Sequence, residues 1–81
     1  MLSKNQVRDI RSLHLKKFRE ARRRFIAEGA KTVSEIMAQR PEMIEAIYGS
    51  EVFLKKYDAL LRENKLDAVK VSEDELRTIS L

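Results

Sequence analysis

Residues 44–61, Ile44-Glu45-Ala46-Ile47-Tyr48-Gly49-Ser50-Glu51-Val52-Phe53-Leu54-Lys55-Lys56-Tyr57-Asp58-Ala59-Leu60-Leu61, and then Ala68-Val69-Lys70-Val71, decide the fold. Ile44 to Tyr48 is a short, mostly apolar run of strand length. Gly49 marks a turn. Ser50 is an N-cap, and Phe53, Leu54, Tyr57, Leu60 and Leu61 recur at helical spacing on one side. Asn64 is a left-handed stop, and Ala68 to Val71 is the next strand. Strand, helix and strand in this order predict parallel pairing, because the helix crosses from one strand to the next.

The same alternation extends outward in both directions. Ala30 to Gln39 reads as a helix with Val33, Ile36 and Met37 inward, and Arg40-Pro41 stops it, since a residue before proline avoids the helical region. Phe25-Ile26-Ala27-Glu28 reads as a further strand, ended by Gly29. Beyond Val71, Ser72 and Glu75 form a capping box that opens a helix with Leu76 and Ile79. At the other end, Ser3 and Gln6 form a second capping box. Leu2 and Val7 flank it as a hydrophobic staple. The resulting helix, Ser3 to about His14, carries Val7, Ile10 and Leu13 on one face. Lys4, Arg8 and Arg11 form a cationic stripe on another. Leu15 to Arg24 extends this helix or forms an ordered loop; periodicity leaves both open. The predicted order is a helix followed by βαβαβα, an α/β fold with a small parallel sheet near residues 25–28, 44–48 and 68–71.

At 81 residues the chain is one domain, spanning 1–81. A chain this size buries only about 60% of its unfolded surface, so a deep active-site cleft is not expected. With 43% hydrophobic and 37% charged residues it is too apolar to be disordered. The absence of cysteine excludes disulfides and thiolate metal sites and fits a reducing compartment. The opening Met1-Leu2-Ser3-Lys4-Asn5-Gln6 has no apolar run behind it, and a cytoplasmic location is expected. The close, with apolar positions at 76, 79 and 81 and no polar tail, suggests a piece of a longer protein.

Charge is uneven. Residues 1–24 hold nine Lys/Arg and two acids, a net +7, whereas residues 25–81 are net −3. A basic arm on an acidic body points to a polyanionic partner. Nine cations among two acids are too many to be matched in self-paired ion bridges. RNA or DNA contact is therefore favoured over a merely solvated face, and a membrane surface is the other polyanion to weigh.

Other residues carry less. His14, the single histidine, has no second ligand and no triad spacing, and reads as a partly exposed helix residue. Glu73-Asp74-Glu75 is first-turn helix chemistry rather than a metal cluster. Gly29 and Gly49 belong to no phosphate-binding loop. Gly49 reads as a turn glycine. Glu28-Gly29, at a strand end leading into a helix, lies at the sheet edge where ligands collect. Phe18, between Lys17 and Arg19, has the setting of a base-stacking aromatic; packing on the core is the preferred reading.

Taken together, these residues resemble a known family. Leu2-Ser3-Lys4-Asn5-Gln6-Val7-Arg8 is similar to the opening of SpoU/TrmH-type RNA methyltransferases. Lys16-Lys17-Phe18-Arg19, then Phe25-Ile26-Ala27-Glu28-Gly29-Ala30-Lys31, resembles their next block, a basic K-K-x-R followed by F-x-x-E-G-x-K. Val71-Ser72-Glu73 with Leu76 resembles the end of their N-terminal domain. The order and spacing span nearly the whole chain. Two positions depart: Arg23 stands where the family often has glycine, and Ala30 where it often has proline.

The resemblance implies a substrate-binding N-terminal domain, a three-layer α/β/α sandwich like that of ribosomal proteins that bind kinked RNA. It implies a separate knotted domain that binds S-adenosylmethionine, methylates a ribose 2′-hydroxyl and forms a homodimer. None of that domain's motifs occurs here, so no catalytic, cofactor or metal residue is expected in this chain. The RNA-binding candidates are Lys4, Arg8, Arg11, Lys16, Lys17, Arg19, Arg22, Arg23 and Arg24 from the charge pattern. Asn5, Glu28 and Gly29 join them, with Arg19 again, from the family signature. The expected partner is ribosomal or transfer RNA rather than a membrane. A free-standing RNA-binding module of similar fold, and an interaction domain for an acidic protein or lipid surface, are the rival readings.

Overall fold

A computed structural model describes residues 2–80. The strand–helix–strand unit at its centre pairs as expected. Strand β1 (Ile47–Gly49) and β2 (Ala68–Lys70) run parallel, with Ile47 opposite Ala68, Tyr48 opposite Val69 and Gly49 opposite Lys70. The Gly49 carbonyl also accepts the Val71 N–H at 2.9 Å. Around the pair lie α1 (Lys4–Ser12), α2 (Lys16–Arg22), α3 (Ala30–Gln39), a 3-10 turn (Pro41–Met43), α4 (Glu51–Lys56), α5 (Asp58–Glu63) and α6 (Glu73–Ile79). The fold is a helix-rich member of the α/β class. The expected apolar position at Leu81 lies outside the described residues.

Several details differ from the sequence expectation. Residues 25–28 form no strand and make no backbone–backbone hydrogen bond among the described residues. A short apolar run becomes a strand only where a sheet edge is aligned to take its donors and acceptors, and the run itself does not encode that edge. The strand expected from Ile44 begins at Ile47, because the Ile44 N–H is spent on the Pro41 carbonyl (3.1 Å), closing the 3-10 turn. The helix after Ser50 breaks at Tyr57 (φ −107°, ψ 21°) into α4 and α5. The left-handed residue that ends α5 is Lys65 (φ 54°), not Asn64, and the Leu66 N–H to Leu61 carbonyl bond (2.9 Å) closes it. Asn64 instead donates its side-chain N–H to the Leu60 carbonyl at 2.9 Å.

The local signals hold elsewhere. Ser3 and Ser72 both form complete capping boxes, with Gln6 and Glu75 as the reciprocal partners. Ser50 accepts the Phe53 N–H. Met37, Ile47 and Leu61 form the buried core, bringing α3, β1 and α5 together, with Val33, Phe53 and Leu54 packed against them. Gly49 is the buried end of β1 rather than a turn residue. An added Cβ there would stand 2.7 Å from Phe53 Cδ1 and 3.2 Å from Leu54 Cδ2, so only glycine lets β1 approach α4 this closely.

Contacts far apart in sequence tie α1 to α6. The Leu2 N–H donates to Glu75 Oε2 (2.7 Å), Arg11 Nη1 to the Thr78 carbonyl (3.0 Å), and His14 Nε2 to the Ile79 carbonyl (2.9 Å). The last two satisfy carbonyls at the end of α6 that the helix itself leaves without partners. His14 is thus half-buried in the turn after α1, with a structural bond. The Ser72 N–H, and then that of Leu2, hold the Glu75 carboxyl below its ordinary value by hydrogen-bonding its charged form.

Candidate nucleic-acid interface

The basic run that could have been helix or loop is a short helix, α2, set against α1 by arginines. Arg19 Nη1 donates to the Leu13 (3.2 Å) and His14 (3.0 Å) carbonyls at the end of α1. Arg22 Nη1 donates to Ser12 Oγ (2.7 Å) and the Asp9 carbonyl (3.3 Å), and its guanidinium lies 4.0 Å from the Asp9 carboxylate. Charged donors on backbone carbonyls are the stronger kind of hydrogen bond. These two side chains fix the corner between the helices.

The surface of this corner carries an open groove lined by Arg8, Asp9, Arg11, Ser12, Phe18 and Arg22. Three arginines and one aspartate thus share its walls. Phe18 is 37% exposed, so the preferred reading of it as a core residue does not hold. Lys17 Nζ lies 5.1 Å from the Phe18 ring centroid. Leu15, three positions earlier, is 54% exposed, and Phe25, placed in a strand by its sequence, is 58% exposed.

The remaining candidates divide by partner. Lys4, Asn5, Arg8, Lys17 and Arg23 make no ion pair or side-chain hydrogen bond among the described residues. Lys16 pairs with Glu20 at 3.8 Å and Arg24 with Glu45 at 2.8 Å, both in solvent where such pairs are weak and readily exchanged. Arg23 ends α2 in the left-handed conformation (φ 52°, ψ 44°). The Arg24 N–H reaches back to the Arg19 carbonyl at 3.2 Å across it. That backbone is one that glycine adopts at little cost and a side-chain-bearing residue adopts less readily.

Glu28 and Gly29 are exposed at the start of α3. Gly29 is the N-cap with φ 95°, a conformation that favours glycine, and an added Cβ would meet nothing within 4 Å. Since residues 25–28 are not a strand, the pair does not sit at the ligand-collecting end of a sheet. It lies outside the groove between α1 and α2.

The acidic run 73–75 is accounted for by α6. Ser72 and Glu75 cap it, and Asp74 pairs with Arg77. Among the described residues no group of three His, Cys, Asp or Glu side chains is placed to hold a metal ion, and no helix is long and apolar enough to cross a membrane.

Residues 4–81 match the family model of the MRM3-like substrate binding domain. No curated protein and no solved structure matches the chain.

Proposed function

The chain belongs to the MRM3-like substrate-binding domain family, and from that premise we propose that it holds RNA for a ribose 2′-O-methyltransferase whose catalytic centre lies in another domain. The observation that carries the proposal is the unmatched charge on the α1–α2 corner. Arg8, Lys17 and Arg23 stand in solvent with no acidic partner among the described residues, and Arg8 lines a groove together with Arg11 and Arg22, whose guanidinium groups are already bonded within the fold. Each cation that neutralises a phosphate releases condensed counterions, so such a surface gives affinity that falls steeply with salt. The rest of the chain is net acidic, which leaves the corner as the favoured place for a phosphate backbone.

In this proposal S-adenosylmethionine binds the catalytic domain, the full-length protein is a homodimer, and the RNA is ribosomal or transfer RNA. Neither glycine of this chain sits in a glycine-rich phosphate loop, so the residues here offer the cofactor no such cradle. A reducing, cytoplasmic compartment is part of the proposal and rests on the cysteine-free composition.

Salt titration tests it. Arg8→Ala and Lys17→Ala should each lower the slope of log affinity against log salt by about 0.7 to 0.9, alike for RNAs of different sequence. Lys55→Ala serves as the control, because Lys55 pairs with Glu51 on the acidic body, and it should leave the slope unchanged. Parent slopes retained in both corner variants would mean that the run is a solvated face.

A further inference from the structure

The RNA-binding reading says that phosphates lie along the corner, but it does not account for an aromatic ring in the groove. Phe18 is one of three apolar side chains, with Leu15 and Phe25, that stay open around a helix otherwise made mostly of cations. An apolar patch built for a protein partner is depleted of charge at its centre. Here the ring shares its groove with Arg8, Arg11 and Arg22, and the Lys17 ammonium is 5.1 Å from its centroid. A flat π-face inside a ring of cations fits one occupant well: a nucleobase whose attached phosphates are anionic. A paired duplex keeps its base faces stacked inside and offers none to such a ring, whereas an unpaired nucleotide offers both base and phosphate.

We propose that the α1–α2 groove seats an unpaired base of the RNA on the Phe18 ring, with the flanking phosphates at Arg8 and Arg11. Arg19 and Arg22 are positioning residues in this arrangement. Their bonds to Leu13, His14, Asp9 and Ser12 set the angle of α2 that turns Phe18 into the groove. The inference rests on the RNA-binding reading and narrows its substrate to single-stranded, bulged or looped segments.

The test compares a single-stranded oligouridine with a fully paired RNA duplex of equal length, bound to the 81-residue chain and its variants. Phe18→Leu keeps a good helix former at an exposed position, and circular dichroism checks that it folds. It should weaken oligouridine binding by about 5- to 150-fold, the usual worth of one base–aromatic stack. The salt slope should not change, because no charge is removed, and duplex binding should be unaffected. In a second variant, Phe18→Trp, oligouridine should quench the indole emission and the duplex should not.

Unchanged oligouridine affinity in Phe18→Leu, or an indole that oligouridine does not quench, would overturn the stacking site. The salt-dependent RNA binding of the parent would then still stand. Poly-glutamate binding as tightly as oligouridine would overturn the RNA reading itself, and the stacking site with it.

Discussion

Arg23 shows how one residue serves two demands that pull apart. Its backbone is left-handed (φ 52°), which costs a side-chain-bearing residue about 1–2 kcal/mol and costs glycine almost nothing. Its guanidinium is one of the unpaired cations on the corner. Arg23→Gly should therefore raise stability by about 0.5–1 kcal/mol, read as a higher urea midpoint at constant m-value. The same substitution should lower the RNA salt slope by about 0.7 to 0.9. Greater stability with an unchanged slope would remove Arg23 from the phosphate contacts while confirming the backbone argument. Arg19 and Arg22 stand in the opposite position, since their cationic groups are engaged by carbonyls and a hydroxyl of α1. Triple replacement of Arg22, Arg23 and Arg24 would thus mix a structural loss with an electrostatic one, and single variants are needed to separate them.

At the scale of elements, the junction between β1 and α4 is the tightest point. Gly49 lies under Phe53, whose ring is 4.9 Å from that of Tyr57, so the neighbour an added methyl would meet is itself packed. Gly49→Ala should destabilise by about 1–3 kcal/mol, the usual cost of overpacking, and thermal unfolding measures it. A change below about 0.5 kcal/mol would mean that Phe53 can swing aside. The cap positions of α1, α4 and α6 were legible from sequence because a cap and its partner are three residues apart and act through local geometry. That residues 25–28 form no strand was not legible, because pairing depends on an edge supplied from elsewhere in the chain. The left-handed residue after α5 was misplaced by one, at Asn64 instead of Lys65, because Asn64 found a carbonyl to cap from a non-left-handed backbone.

At the scale of the whole molecule, the two ends are joined through Glu75. Its carboxylate accepts the Ser72 N–H and the Leu2 N–H, so it belongs at once to the cap of α6 and to the clasp with the start of α1. Both bonds favour the charged form and hold its pKa below the ordinary value. The contribution of Glu75 is therefore complete well above the unfolded value of about 4.3 and is lost as pH falls through the lower folded value. Parent stability should decline over that acid range. Glu75→Gln should be less stable than the parent at neutral pH, and the difference should shrink as the parent's carboxylate protonates. A difference between the two that stays constant from pH 7 to about pH 3 would show that the charge plays no part.

The sequence by itself determined the α/β class, the N-caps of the outer helices, the split between a basic arm and an acidic body, and the likeness to SpoU/TrmH substrate-binding domains. All of these rest on residue types, short spacings or their order along the chain. Tertiary structure alone decided which cations stay unmatched, since Arg19 and Arg22 look like Lys17 and Arg23 in the sequence. They differ only in having carbonyls and a carboxylate of α1 within reach. It also decided that Phe18 faces a groove rather than the core. The exposure of a side chain depends on how two helices meet, and that angle is set by bonds between residues five to thirteen positions apart.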